Sequence, residues 1–453
     1  MSNTNNKLFN KNFFLLWQGQ TVSNIGNQVF SVAMILWIKH VTNSAELVGI
    51  ILMTSTIPAV LLSAIGGAFA DRYSRRNIIV ISDILNGLGV LSLFALMYFA
   101  PESINLTIAW LLFLSCFIAS VNSFFTPAIS ASVPDIVPGE KLAAANSLVQ
   151  FSLQISLFIG QGLGGILYRL IGPVVLVFFN GFSYIFSGIS EIFIKIPQKI
   201  PEKSESLKSR ISKFKEEILE GFKYVWGYSG LKKLVLLSTM LNLFTTPIIV
   251  LLPFFVEDHL RLSSDWYGYF LAIYGLGSMF GYLIAGILKL NGIARRNTII
   301  ASIFIESALF GTLGFMSMPL VILFISFFAG SMNGFVSVNV ITILQSTTKS
   351  EIRGRVFGFL MTLSGAMVPL GMGISGFAYE LIGRDITLLY GICAIIMSAL
   401  TIIFSFGEGF RNYLAQDISS TIGDSVIQSE LSDSENKTEF QGLEPVKEKI
   451  ISK

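Results

Sequence analysis

Charge is what this chain has least of. Only 13% of its 453 residues are Asp, Glu, Lys or Arg, about half the share usual in a soluble domain. Hydrophobic residues make up 53%, and mean hydropathy is +0.69. Two or three soluble domains are thereby excluded in favour of a membrane chain. There are two cysteines, Cys116 and Cys393, both inside long apolar runs, so neither a disulfide framework nor a thiolate metal site is expected. The two histidines, His40 and His259, stand near the ends of such runs and form no ligand cluster. No glycine-rich loop ending in lysine is present to cradle a nucleotide phosphate, which argues against ATP as the direct energy source. No nucleophile–base set appears either, so enzyme activity, a cofactor and a nucleic-acid partner are not expected. The first apolar segment contains Gln18, Gln20, Asn24, Asn27 and Gln28 and is too long for a cleavable signal peptide.

What the chain does have is about twelve apolar runs, each near the 20 residues needed to cross a bilayer as a helix. They lie near 13–38, 46–70, 77–99, 105–130, 143–168, 173–194, 232–256, 265–288, 297–317, 319–344, 355–380 and 386–407. The runs form one unit of six written twice. Asn122, Glu140, Gly160, Gly162, Gly165, Tyr168 and Gly172 recur 211 positions later as Asn333, Glu351, Gly371, Gly373, Gly376, Tyr379 and Gly383. Earlier in each half, Gly49 and Gly67 answer to Gly268 and Gly286 at a displacement of 219, and Arg75-Arg76-Asn77 to Arg295-Arg296-Asn297 at 220. Two related six-helix bundles that rock about a shared site are the usual construction of a secondary transporter.

With the amino terminus placed in the cytoplasm, only Lys39, Arg169, Arg261 and Arg384 fall on the outer side, leaving 27 of the 31 basic residues inside. The positive-inside rule then puts both termini in the cytoplasm of a multi-pass cell-membrane protein, a bacterial inner or plasma membrane. The expected division is a first bundle over 1–194, a cytoplasmic linker over 195–231, a second bundle over 232–410 and a tail over 411–453. The linker begins as a polar, mobile stretch from Pro197 to Ser209. It then spaces Ile211, Phe214, Ile218, Phe222 and Val225 three or four apart, predicting an amphipathic helix at the membrane surface. The acidic tail has little to bury and is expected to stay disordered.

Polar side chains avoid lipid, so polar faces of spans should turn inward. Gln20, Asn24, Asn27 and Gln28 share a face of span one. Gln150, Gln154 and Gln161 are aligned on span five, and Ser238, Asn242, Thr245 and Thr246 on span seven. Asn122 with Thr126, and Asn333 with Ser337, mark spans four and ten. Interhelical hydrogen bonding, worth about 1 kcal/mol per contact, is the competing explanation for each. Carboxylates inside spans are scarcer: Asp83 in span three, Glu191 near the inner end of span six, and Glu306 near the middle of span nine. A charge at bilayer centre costs on the order of 3 kcal/mol. Glu306 is therefore the first candidate to bind and release a proton, with Asp83 second. Glu191 is read as near enough to the surface to be structural.

The sharpest local signal joins spans two and three: Gly66-Gly67-Ala68-Phe69-Ala70-Asp71-Arg72-Tyr73-Ser74-Arg75-Arg76. It resembles the loop signature of the major facilitator superfamily. The glycines admit a close helix, Asp71 can sit at a helix amino terminus, and Arg72, Arg75 and Arg76 can pair with it or with lipid headgroups. In the superfamily this loop latches the halves on the cytoplasmic side, with span eleven near Gly354 as its counterpart. The resemblance further implies that spans one, four, seven and ten line a central cavity, which would make Gln20, Asn24, Asn27, Asn122, Gln150, Gln154, Asn242 and Asn333 candidate lining residues. Span five carries Gly160, Gly162, Gly164 and Gly165, similar to the exporters' glycine motif, but with Gln161 where a proline is usual and with no span-four arginine between Leu106 and Ser130.

Within the superfamily, Leu16-Trp17-Gln18-Gly19-Gln20 with Ser23, Ser82-Asp83, Pro134-Asp135 and Arg353-Gly354-Arg355-Val356 look like the macrolide-efflux and enterobactin-exporter branch. That implies export of an amphipathic small molecule, a macrolide-like drug or a siderophore, in exchange for protons by alternating access, with the bilayer as surroundings and one chain sufficing. A lysophospholipid flippase or an importer would share the architecture. A non-transporting sensor would need a long soluble domain that is absent.

Overall fold

The computed structural model describes residues 8–198, 207–288, 290–348 and 350–416. Among these, every regular element is helical. Span one is Lys11–Thr42, span three Arg75–Phe99, span four Ile104–Ile136, span five Leu142–Ile171 and span six Pro173–Ile192. A linker helix, Leu207–Gly227, leads to span seven (Ser229–Val250), span eight (Asp265–Leu288), span nine (Gly292–Leu313), span ten (Pro319–Thr347), span eleven (Ser350–Leu381) and span twelve (Ile386–Ser405). A last short helix is Glu408–Leu414. Short polar side chains start several of them. Asn10, Ser44, Ser74 and Asp385 each accept a bond from the backbone N–H three residues on, which satisfies a first-turn donor that has no carbonyl of its own. Among the described residues, eleven helices are long and apolar enough to cross a membrane. Span nine, at 22 residues, is long enough but carries Arg295, Arg296, Asn297 and Glu306, which dilute its apolar character.

Two spans depart from the single helices the sequence suggests. Span two breaks into Ala45–Thr54 and Ile57–Arg72. Pro58 has no N–H to give the carbonyl of Thr54, and the Thr56 hydroxyl instead bonds the carbonyls of Leu52 and Met53. Span seven does not stop near 256: after Val250 it runs through Leu252–Phe254, which contains Pro253, into a wide turn, Phe255–His259. The linker helix also differs in what it touches. A Cβ at Gly221 would overlap the Arg355 carbonyl, and Phe222 and Trp226 pack their rings on Phe359. Its apolar stripe therefore seats on span eleven rather than on lipid. Residues 199–206 of the polar linker stretch and 417–453 of the acidic tail lie outside the described residues.

The duplication reappears as packing. Span one lies on five and six, two on four, and three on four and six; span seven lies on eleven and twelve, eight on ten, and nine on ten and twelve. The halves meet where span two crosses eleven and where five crosses eight. Core continuity differs at the two ends. Near Lys39, one buried apolar cluster runs through both halves, from Val29 and Val48 to Phe254, Phe270 and Leu389. Toward the end that carries Arg75 and Arg295, the core divides. One cluster, with Phe13, Ile79 and Val133, belongs to the first half. The other, with Leu234, Ile299 and Val356, belongs to the second. The buried apolar core is continuous between the halves at one face and divided at the other.

Candidate functional site

The seam between the halves is built on glycine. A Cβ at Gly165 in span five would meet Ser264 O at 2.5 Å and Asp265 Cα at 3.1 Å. At the symmetric place, Gly376 in span eleven is pressed against Ala45 and Glu46 in the same way. Gly268 faces the carbonyls of Gln161 and Gly162, and its counterpart Gly49 faces that of Met372. Without side chains between them, the helices approach backbone to backbone. The span-five motif thus works on two sides. Gly160 and Gly164 accommodate Gln28 and Val32 of span one, inside the half, while Gly162 and Gly165 face Ala272, Ser264 and Asp265 across the seam.

Ion pairs finish the seam at the joined face. Lys39, only 4% exposed, places Nζ 2.7 Å from Glu257 Oε2 and 2.8 Å from Asp258 Oδ1. His40 Nε2 lies 2.9 Å from the same Glu257 oxygen, and its Nδ1 is 2.8 Å from the Tyr168 hydroxyl. Ser264 bonds Glu257, and Arg169 Nη2 pairs with Asp265 Oδ2 at 2.9 Å. Each ion pair joins first half to second. The sequence reading used Lys39 and Arg169 only as orientation markers. The available signal was that Glu257, Asp258 and Asp265 gather between spans seven and eight on the face where basic residues are fewest.

At the parted face the loop after span two is anchored within its own half. Arg75 Nη1 bonds Asp135 Oδ2 at 2.5 Å and the Ala131 carbonyl at 2.9 Å, while Nη2 reaches Asp71 Oδ1 at 3.5 Å. Arg76 donates to the Ile192 carbonyl and Arg72 lies over the Tyr73 ring. Gly66 is needed for the close approach of span four, since a Cβ would overlap the Ser123 carbonyl, but Gly67 faces open space. Only one of the glycine pair serves packing. Ile57–Arg72 touches both span eleven and the linker helix, where the latch is expected.

The candidate lining residues divide among several places. Gln20, Asn24 and Gln150 share a cavity of about 280 Å³ with Trp17, Thr126 and Ser130. Asn27 and Asn122 line a second, of about 200 Å³, between spans one, two and four. Neither cavity is lined by Asn242 or Asn333; Asn242 and Gln154 are exposed. Asn333 instead donates to Glu306 Oε1 at 3.0 Å, and Asn122 accepts from Asn86 at 3.0 Å. Gln20 also donates to Glu191 Oε1 at 2.8 Å. Glu191 lies one residue from the inner end of span six, yet it is only 1% exposed. Spans one and three cover that end of span six. Asp83 and Glu306 are buried as expected, at 0% and 6%.

Known proteins share this architecture. The nucleoside transporter NupG superposes with a TM-score of 0.66 at 14% identity, over 87% of this chain and 98% of that one. A D-xylose–proton symporter gives 0.63 at 12% identity, over 87% and 98%. In sequence, the chain is 24% identical over 376 residues to macrolide efflux protein A of Streptococcus pyogenes, covering 82% of this chain and 90% of that protein. It is 24% identical over 374 residues to the multidrug efflux pump Tap of Mycolicibacterium fortuitum, covering 80% and 88%. Residues 3–421 match the description "transmembrane secretion effector", and the chain belongs to that family of major facilitator transporters.

Proposed function

We propose that the protein exports amphipathic small molecules, of the macrolide-like or siderophore kind, in exchange for protons. The observation that carries this reading is the divided core. A core shared by two homologous halves at one face and divided between them at the other fits one of the two end states that alternating access requires. The parted face bears Arg72, Arg75, Arg76, Arg295 and Arg355, so by the positive-inside rule it is cytoplasmic, as are both termini. The cavity of Gln20, Asn24 and Gln150 beside Trp17 offers amide donors and acceptors next to an aromatic wall, which suits a solute with both polar and apolar surface. Glu306, held by Asn333, is a proton carrier of the second half, and one chain contains every part of the cycle. The test is uptake into energised inverted vesicles that contain the protein, with erythromycin, a cationic dye and a siderophore as probes. Accumulation that collapses with an uncoupler supports the reading. Accumulation that follows ATP hydrolysis and ignores the uncoupler, or none for any probe, overturns it.

A further inference from the structure

The first half holds a second buried acid next to Asp83, and the fold does not require it. Asp83 in span three faces Ser187 and Glu191 of span six, with Gly188 removing the side chain that would separate the helices. Both carboxyls are buried, and neither has an ion-pair partner among the described residues. Glu191 Oε1 is served by Gln20 at 2.8 Å and by Ser187 at 3.4 Å. Among the described residues, none donates a hydrogen bond to Glu191 Oε2 or to either oxygen of Asp83. Two carboxylates facing each other can offer none, and two adjacent negative charges in a buried site are strongly disfavoured. A proton lying between them supplies the missing donor. Tyr184 is a further titratable group beside Asp83, and Arg76, seven residues before Asp83 on span three, donates to the Ile192 carbonyl.

The second half shows what this place needs for folding alone. Asp83 corresponds to Ile303, 220 positions on, and the first residues of spans six and twelve, Pro173 and Ile386, pair Glu191 with Phe404, 213 positions on. Both counterparts are apolar and belong to one hydrophobic cluster. An acid pair where the sister half packs isoleucine and phenylalanine serves something other than packing.

Its position suggests what. Gln20 ties Glu191 to the wall of the 280 Å³ cavity. Ile192, the next residue, lines a cleft of about 950 Å³ at the basic face together with Lys11, Arg76 and Lys195. We propose that Asp83 and Glu191 form a proton-binding site shared between the two carboxyls, exchanging its proton between the Gln20 cavity and the cleft beneath Ile192. This rests on the proton-exchange reading above. The pair alternates between holding one proton and two, and the proton released passes to water in the cleft.

Asp83→Asn and Glu191→Gln are mild tests, because each amide supplies the N–H donor that the orphaned oxygens lack. The full chain in phosphatidylethanolamine–phosphatidylglycerol proteoliposomes is examined by infrared spectroscopy between acidic and alkaline pH, with Glu306→Gln as the reference. The expected result is a protonated-carboxyl C=O band that persists in the reference and is lost in both variants. In the same vesicles, accumulation of erythromycin driven by a pH gradient should be lost while its counterflow exchange continues. A band unmoved by either substitution overturns the shared site, whatever transport does. Wild-type protein that shows the band yet ignores the pH gradient overturns the antiport reading instead.

Discussion

Glu306 and Asn86 occupy the same place in the two halves. They stand 220 positions apart, and each is bonded at 3.0 Å to the asparagine of the following span, Asn333 for one and Asn122 for the other. An amide–amide bond fills this position in the first half and an amide–carboxyl bond fills it in the second. The polar contact is therefore a feature of the fold, and the acid is an addition to it.

Replacing Glu306 by Gln should leave folding nearly intact, because the Gln carbonyl accepts from Asn333 as Asn122 accepts from Asn86. The expected stability change is within about 1 kcal/mol, the worth of an interhelical hydrogen bond, read as a small shift in the detergent melting temperature. Accumulation driven by a pH gradient should fall. Proton-driven transport that survives the substitution unchanged would remove Glu306 from the mechanism.

Gly376→Val should hold the Lys39 face open. The added atoms fall on Ala45 and Glu46, and overpacking of this kind costs roughly 1–3 kcal/mol, enough to move a two-state equilibrium about 5–150-fold. Spin labels on spans two and eleven near this face should report a longer distance than in the wild type. Gly67→Val, whose site is open, is the matched control and should not shift the distance. An unshifted distance in the first variant refutes the seam's role in closure.

Lys39→Met removes the first-half cation that Glu257 and Asp258 share and leaves two neighbouring acids of the second half at the seam without a counter-charge. Breaking a buried ion pair from one side costs about 3–5 kcal/mol. The closed state should lose population, measured by thiol labelling of a cysteine placed at Met34 beneath the pair. Adding Glu257→Gln and Asp258→Asn to Lys39→Met should restore much of the protection. Equal labelling in all three backgrounds would show that the cluster does not hold the gate.

Arg75→Lys should behave nearly as badly as Arg75→Ala. Arg75 uses separate nitrogens for Asp135 and Asp71 while also reaching the Ala131 carbonyl, and a single ammonium cannot copy that fork. Both variants should show reduced transport with normal amounts in the membrane, checked by quantitative blotting alongside vesicle uptake. Full activity in the lysine variant would mean that charge alone suffices there.

The architecture was legible because the duplication is carried by glycines whose purpose is contact. Gly165 and Gly376, paired by number alone, turn out to press on Asp265 and Glu46, which are themselves 219 positions apart. The helix ends were readable where Asn10, Ser44 and Ser74 cap them, and less so at Pro58 and Pro253, where a broken helix and a continuous one read alike by hydropathy. Lateral relationships were not legible. Lys39 meets Glu257 across 218 positions, and Asp83 meets Glu191 across 108. No periodicity on one helix reports which neighbour lies beside it. Glu191 shows the limit most clearly: its place near the end of span six is legible, but its burial is set by two other helices.

Because the seam is backbone laid on backbone, it tolerates almost no change: any substitution for its glycines adds bulk in the same direction. The amide-lined hollow beside Trp17 is under no such restriction. Apart from Gln20, which is bonded to Glu191, its side chains can be exchanged without touching the glycine seam. A lineage built this way can acquire new cargoes while keeping its machinery of motion fixed.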